Sequence, residues 1–300
     1  MKSLSLSLLL SVWAVAASAK LNVVTTTQDW ASVTQSIAGE LADVNYIARG
    51  TQDAHFVEAK PSYMVKVSRA DLVLSAGLQL EVGWLPLLVR GARRPNLLPG
   101  NPGYLEVSGA ISPIEVNANA DRSNGDVHPF GNPHFSADPE RVLQVVDLIA
   151  KKLGELDAPH MAQYNAGAEK FKTELKKKIE NWKARMAKFK GTKVIGYHKT
   201  FDYFFDRFGL DAVAYLEPKP GIPPTVTHVM SLIQAAKTQN VKLIINENFF
   251  DLKPARTLVE HVPGIKIVEV PANVGGDDKS SSYENWIEDL VSSVEKGMAP

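Results

Sequence analysis

The segment from Pro159 to Phe189 constrains the fold most. It is rich in Lys, Glu and Ala, carries no internal proline, and repeats Tyr164, Phe171, Leu175, Ile179, Trp182 and Met186 at helical spacing. A helix of this length reaches roughly 45 Å at 1.5 Å per residue. That is long enough to cross the molecule and join two lobes. The residues on either side of it repeat one alternation. Before it, Lys20 to Thr26 reads as a β-branched strand, Asp29 to Ala42 as a helix, and Val44 to Ala48 as a strand. A helix opened by Pro61-Ser62 follows, then a strand within Ala70 to Ala76 and an amphipathic stretch from Leu80 to Gly91. After it come strands at Lys193–Tyr197, Ala212–Leu216, Val241–Asn246 and Lys266–Val270. Helices at Phe201–Phe208, Thr225–Thr238, Lys253–His261 and Ser282–Lys296 alternate with them. Strand–helix alternation of this kind builds parallel sheets covered by helices. The expected fold is therefore α/β: two lobes, each a mainly parallel sheet with flanking helices, joined by one long rigid helix. The expected boundaries are 20–158 for the first lobe, 159–189 for the linking helix and 190–300 for the second lobe.

The first nineteen residues stand outside this scheme. Met1-Lys2 gives a positive start, Leu4 to Ala17 is apolar apart from serines, and Ala17-Ser18-Ala19 offers small residues to a signal peptidase. The run falls short of the roughly 20 residues that span a bilayer. It reads as a secretory signal cleaved before Lys20, which places the mature chain in the periplasm. The sequence holds no cysteine. A lipid anchor on a leading cysteine is therefore not expected, and a disulfide framework, a thiolate metal site and a cysteine nucleophile are all excluded. Basic and acidic residues balance at 33 each, which argues against a nucleic-acid binder.

Residues 100 to 137 are rich in Gly, Pro, Asn, Ser and Asp, and read as one long functional loop. Asp138-Pro139 then opens a helix. Three of the seven histidines sit where such a fold puts its ligands. His55 follows a strand and precedes a helix, with Asp53 placed to orient its ring. His134 lies between Pro133 and Pro139, which stiffen the backbone. His198 directly follows the Val194–Tyr197 strand. Open α/β sheets bind ligands at the carboxyl ends of their strands, and neutral imidazole is the commonest transition-metal ligand. The three are candidate donors to one ion in an interlobe cleft. His160, His228 and His261 fall on helices or their ends and read as surface or packing residues. His128, near Asp121 and Asp126, reads as a solvated loop residue or a weak accessory ligand.

Three segments resemble the zinc/manganese class of ABC-transporter solute-binding proteins: Asp53-Ala54-His55 before Lys60-Pro61-Ser62; Asn132-Pro133-His134 before Asp138-Pro139; and Tyr197-His198-Lys199-Thr200-Phe201-Asp202-Tyr203-Phe204. The resemblance covers essentially the whole mature chain. It implies two α/β lobes with one metal between them, His55, His134 and His198 as the first three ligands, and an ABC permease in the inner membrane as partner. A histidine at the third position resembles the zinc-binding members, so Zn2+ is the expected ion and Mn2+ the alternative. At the fourth position the family often has an aspartate, where this chain reads Pro271-Ala272-Asn273-Val274-Gly275-Gly276-Asp277-Asp278. Asn273 is a poor zinc ligand. Asp277 or Asp278, then Glu247, then water are the candidates for the fourth donor. The 117–132 loop is a candidate contact for a periplasmic metallochaperone. The expected protein is a monomer with no nucleic-acid partner and little lobe closure.

Two rival functions use the same residues. A secreted zinc hydrolase would need three ligands, an open water position and a general base. The chain, however, has no His-Glu-x-x-His pair, Gly-x-Ser-x-Gly elbow or Walker-type loop. A metal-binding adhesin or a metal chaperone would share the site without the permease.

Overall fold

The computed structural model describes residues 19–119, 125 and 127–299. The signal segment up to Ser18 and the residues Asp121 and Asp126 lie outside them. Eight strands among the described residues form two four-stranded, wholly parallel sheets. In the first lobe β1 (Leu21–Thr25), β2 (Ala42–Tyr46), β3 (Leu72–Ser75) and β4 (Tyr104–Glu106) lie in the order β2-β1-β3-β4. In the second, β5 (Lys193–Gly196), β6 (Asp211–Tyr215), β7 (Leu243–Glu247) and β8 (Lys266–Val270) lie in the order β6-β5-β7-β8.

Helices α1 (Gln28–Ala38), α2 (Pro61–Ser68), α3 (Leu85–Gly91) and α4 (Pro139–Leu156) flank the first sheet. Helices α6 (Asp202–Phe208), α7 (Val226–Gln239), α8 (Lys253–His261) and α9 (Tyr283–Met298) flank the second. Between them runs α5 (Met161–Met186), extended at both ends by short 3-10 turns. Its buried face is Tyr164, Ala168, Phe171, Leu175, Ile179, Trp182 and Met186, the stripe that the spacing predicts. Each large apolar side chain on that stripe contributes about 2–3 kcal/mol by leaving water. The helix packs on α1 and α4 of the first lobe and on α9 of the second. No helix among the described residues is long and apolar enough to cross a membrane.

Side chains alternate between the two faces of each strand. In β1, Val23 joins the main core and Val24 a separate outer cluster; in β5, Val194 and Ile195 divide in the same way. One face of each sheet thus feeds a single core that passes through α5, so the lobes share their interior. Polar contacts reinforce the join. Asp138 caps α4 by accepting from the Glu140 amide, and it also holds Arg141 and both forks of Arg207 from α6, the latter at 2.8 Å each. Trp182 donates to Glu288 at 2.8 Å, and Arg185 bridges Glu288 and Glu295 of α9.

Two details differ from the sequence reading. The 100–137 stretch is not all loop, because Tyr104–Glu106 pairs with β3 as an edge strand. The amphipathic stretch read from Leu80 becomes helical only at Leu85: Gly77, Leu78 and Gln79 all have positive φ, and the chain turns there before Pro86 permits a helical start.

Candidate metal centre

His198 lies two residues beyond β5, at the carboxyl end of a central strand. Its Nδ1 is 2.7 Å from Glu217 Oε2, and Glu217 stands two residues beyond the neighbouring strand β6. Both side chains are buried. The same Glu217 oxygen also accepts from the Gly221 amide at 3.0 Å. A carboxylate on Nδ1 fixes the tautomer and leaves Nε2 as the free donor, the usual outer arrangement around a metal-bound imidazole.

His55 has the same arrangement built locally. Asp53 Oδ1 accepts from the His55 amide at 2.9 Å and lies 2.8 Å from Nδ1 of its ring. Burial alone would raise the Asp53 pKa, but the bond and charge of the His55 ring outweigh it and hold the carboxyl below its usual range. The loop is fastened from behind by Trp84, whose indole donates to the Ala54 carbonyl at 2.8 Å.

His134 comes from the connection between β4 and α4. Its amide donates to Asn132 Oδ1, and Asn132 in turn donates to the Lys199 carbonyl of the second lobe at 2.9 Å. Tyr203 donates to the Asn132 carbonyl at 2.7 Å, and Phe135 packs on Trp30 and Tyr203. A first-lobe ligand is thereby anchored on the second lobe. His134 Nε2 is buried and makes no hydrogen bond. Burial first, then the nearby His55, His198 and His128 rings, push the His134 pKa well below the ordinary histidine value. The shift favours the neutral ring, the form that can ligate a metal ion.

The three rings form a near-equilateral triangle, with centroids 5.1, 5.3 and 5.3 Å apart. One donor atom from each lies within 4.8 Å of the others, and among the described residues no other group of three or more His, Cys, Asp or Glu does so. A buried nitrogen without a partner, two imidazoles oriented by carboxylates, and three converging donors fit a small d-block cation.

The carboxylates considered for the fourth position are not in this group. Asp277 and Asp278 are exposed, and Asp277 Oδ1 closes its own tight loop by accepting from the Lys279 and Ser280 amides. Asn273 accepts from the Asp29 amide at the start of α1. Glu247 is fully buried at the end of β7, and neither of its oxygens makes a hydrogen bond of good geometry. Its burial pushes the pKa up to about 8, although Thr200 and the His198 amide lie close enough to soften the shift. His128 is not the solvated residue expected: it is half-buried, with Nε2 3.1 Å from His55 Nε2. His160, His228 and His261 are engaged locally, by Asp157, the Tyr215 carbonyl and the Thr257 carbonyl. The sequence reading did not find Glu217, because nineteen residues separate it from His198 and only the β5–β6 pairing joins them.

Two parallel-sheet lobes braced by one helix, with imidazoles converging between them, are the build of an extracytoplasmic receptor that captures a metal ion for an ABC importer. Residues 23–297 match the family described as zinc-uptake complex component A, periplasmic (ZnuA), and the chain belongs to that family. Curated relatives include the manganese ABC transporter substrate-binding lipoprotein PsaA of Streptococcus pneumoniae, 23% identical over 93% of this chain and 90% of that protein. The iron-binding protein YfeA of Yersinia pestis is 26% identical over 79% of this chain and 72% of its own length. The fold superposes on a crystal structure of ZnuA with a TM-score of 0.79 at 21% identity, covering 94% of this chain and all of that one. These proteins are solute-binding receptors and not enzymes, which sets the hydrolase reading aside. Substrate-binding proteins of this class work with a membrane permease and its ATPase.

Proposed function

We propose that this chain captures zinc in the periplasm and delivers it to an ABC importer, with His55, His134 and His198 as ligands. The observation that carries the reading is the donor set. The group that converges in the cleft is three imidazoles, with no carboxylate among them. Nitrogen donors suit zinc, whereas manganese favours carboxylate, carbonyl and water oxygen. Relatives named for manganese and for iron show that the fold itself does not choose the ion. The choice therefore lies in the donors.

The protein is expected to act as a monomer. The test is elemental analysis of the purified protein, followed by titration against a chelator of known zinc affinity. One tightly held zinc per chain, with manganese bound far more weakly, is the expected result. Manganese held in preference to zinc, or no tightly held ion, would overturn the reading.

A further inference from the structure

A cavity of about 380 Å³ lies in the first lobe, between α3 and the edge strand β4. None of His55, His134 and His198 lines it. Its walls are apolar, made by Leu78, Val82, Leu85, Val89, Leu98 and Phe130. Val82 and Phe130 are 44% and 60% exposed, so part of this lining stands in water. A ligand with an apolar body would cover it, a gain that grows with the area removed from water. The wall at Leu78 and Gln79 is held with φ of +53° and +67°, a region that a bulky side chain rarely adopts. Backbone of that kind gathers at ligand sites, where the surrounding structure holds it in place.

The acidic groups gather at one end. Glu106 closes β4 and lies against Gly77, where a Cβ would stand 2.3 Å from Glu106 Cγ. Glu106 Oε1 accepts from Ser108 Oγ at 2.9 Å. Among the described residues Oε2 has no hydrogen-bond donor and the carboxylate no ion-pair partner. Glu81, 3% exposed, lines the same cavity and takes the Ala76 and Gly77 amides at 2.7 and 3.2 Å. Tyr104 stands near both carboxylates: burial holds its phenol above the ordinary pKa, and the charges of Glu81 and Glu106 add to the rise. Arg90 is the one cation in the lining. Because α3 joins two parallel strands, it runs back from the end of β3 toward the start of β4. Arg90, in its last turn, therefore marks the end away from Glu106.

We infer that this cavity binds a small amphipathic ammonium ion, whose apolar body covers the walls and whose N–H groups donate to the free oxygen of Glu106. The charge match selects a cation at the acidic end, and a charge-assisted hydrogen bond is about twice as strong as a neutral one. A hydrated inorganic cation would satisfy Glu106 but gain nothing from the apolar walls. An anionic ligand of the same shape would meet Glu106 and Glu81 with like charge. The inference does not depend on which metal the histidines hold.

The test titrates phenethylammonium at neutral pH by saturation-transfer NMR, with 2-phenylethanol and 3-phenylpropionate as its neutral and anionic counterparts. The parent protein is compared with Glu106→Gln, Phe130→Ala and Arg90→Ala, each with and without zinc. The parent should bind the ammonium about tenfold more tightly than either counterpart. Glu106→Gln should remove that advantage over the alcohol. Phe130→Ala should weaken ammonium and alcohol alike, since it removes only apolar wall. Arg90→Ala and zinc should leave ammonium binding unchanged. No preference for the ammonium, or a preference that survives Glu106→Gln, would overturn the inference. So would tighter binding of 3-phenylpropionate that Arg90→Ala abolishes, or ammonium binding that requires zinc.

Discussion

The two lobes share one strand order, yet they supply metal donors from different places. In the second lobe the ligand comes from the end of β5, a central strand, and its orienting carboxylate from the end of the adjacent β6. This is the crevice beside a topological switch point, where open α/β sheets bind ligands. In the first lobe the equivalent strand, β1, ends in Thr25-Thr26-Thr27, whose hydroxyls serve the fold: Thr26 donates to the buried Glu81 at 2.6 Å. The imidazoles come instead from the loop after edge strand β2 and from the connection beyond β4. One lobe uses strand geometry to place a ligand and the other uses loop chemistry. A donor placed by paired strands cannot shift without the sheet, whereas donors on loops can be re-aimed by local change.

The largest expected effect tests this contrast at the ligands. Zinc bound by four ligands gains about 10–16 kcal/mol, so one ligand is worth on the order of 3–4 kcal/mol, or 100- to 1000-fold in affinity. His198→Ala should lose close to the full amount, because it removes an imidazole donor together with the ring that Glu217 orients. His55→Ala should lose less, since His128 already borders that position. Chelator competition measures both. A greater loss at His55 than at His198 would break the contrast.

Buried carboxyls at matching strand ends provide the next test. Glu81 follows β3 and Glu247 ends β7, the strand at the same place in the other sheet. Burial raises Glu81 to about 7, against hydrogen bonds from Thr26 and the Ala76 and Gly77 amides, and raises Glu247 to about 8. Each folded-state pKa exceeds the unfolded value near 4.5. The folded protein therefore holds a proton that the unfolded chain releases. The resulting stability is complete below about pH 4.5 and is lost as pH rises through the folded pKa. For Glu81 the loss totals on the order of 3 kcal/mol. In denaturant unfolding of the metal-free protein, the parent should lose stability relative to Glu81→Gln between pH 5 and 7. Relative to Glu247→Gln the loss should continue toward pH 8. Parallel pH profiles for parent and variants would contradict both assignments.

A smaller effect separates the two orienting carboxylates. Removing a partner of a ligating histidine costs about 10–100-fold in metal affinity. Glu217→Gln should fall toward the upper end, because Glu217 is buried and placed by a strand. Asp53→Asn should fall toward the lower end, because Asp53 is partly exposed and its amide analogue still accepts from the His55 backbone. Equal losses would mean that strand placement gives the second lobe no advantage.

What was legible in the sequence follows the same division. Period-two and period-3.6 patterns are local, so the strands, the α5 stripe and the positions of His55, His134 and His198 at element ends could all be read. Features that depend on the chain returning to itself could not. Tyr104–Glu106 is a three-residue edge strand amid Gly, Pro and Asn, with no periodicity to mark it. His128 reads as solvated because the loop before it is rich in Asn, Asp, Ser and Gly, and its contact with His55 spans 73 residues. Asp277 was attractive as a carboxylate beside two glycines, but its loop uses the oxygen for its own turn. Such Asx turns compete with any outside partner for the same lone pairs.

The smallest expected effect lies at the helix starts. In the second lobe Thr225 Oγ1 accepts from the His228 amide, satisfying one of the free donors of the first turn of α7. In the first lobe Thr27 stands at the same place before α1, but its hydroxyl donates to Asp29 and caps nothing; the Asp29 side chain accepts from the Trp30 amide instead. Thr225→Ala should therefore destabilise the protein by about 1 kcal/mol in denaturant unfolding. It should not change zinc affinity, since α7 carries no ligand. Because α7 packs on the outer face of the second sheet, away from the core shared through α5, the loss should appear as a small shift of one cooperative transition. Separate unfolding of the second lobe would show that the shared core does not couple the two halves as its packing implies.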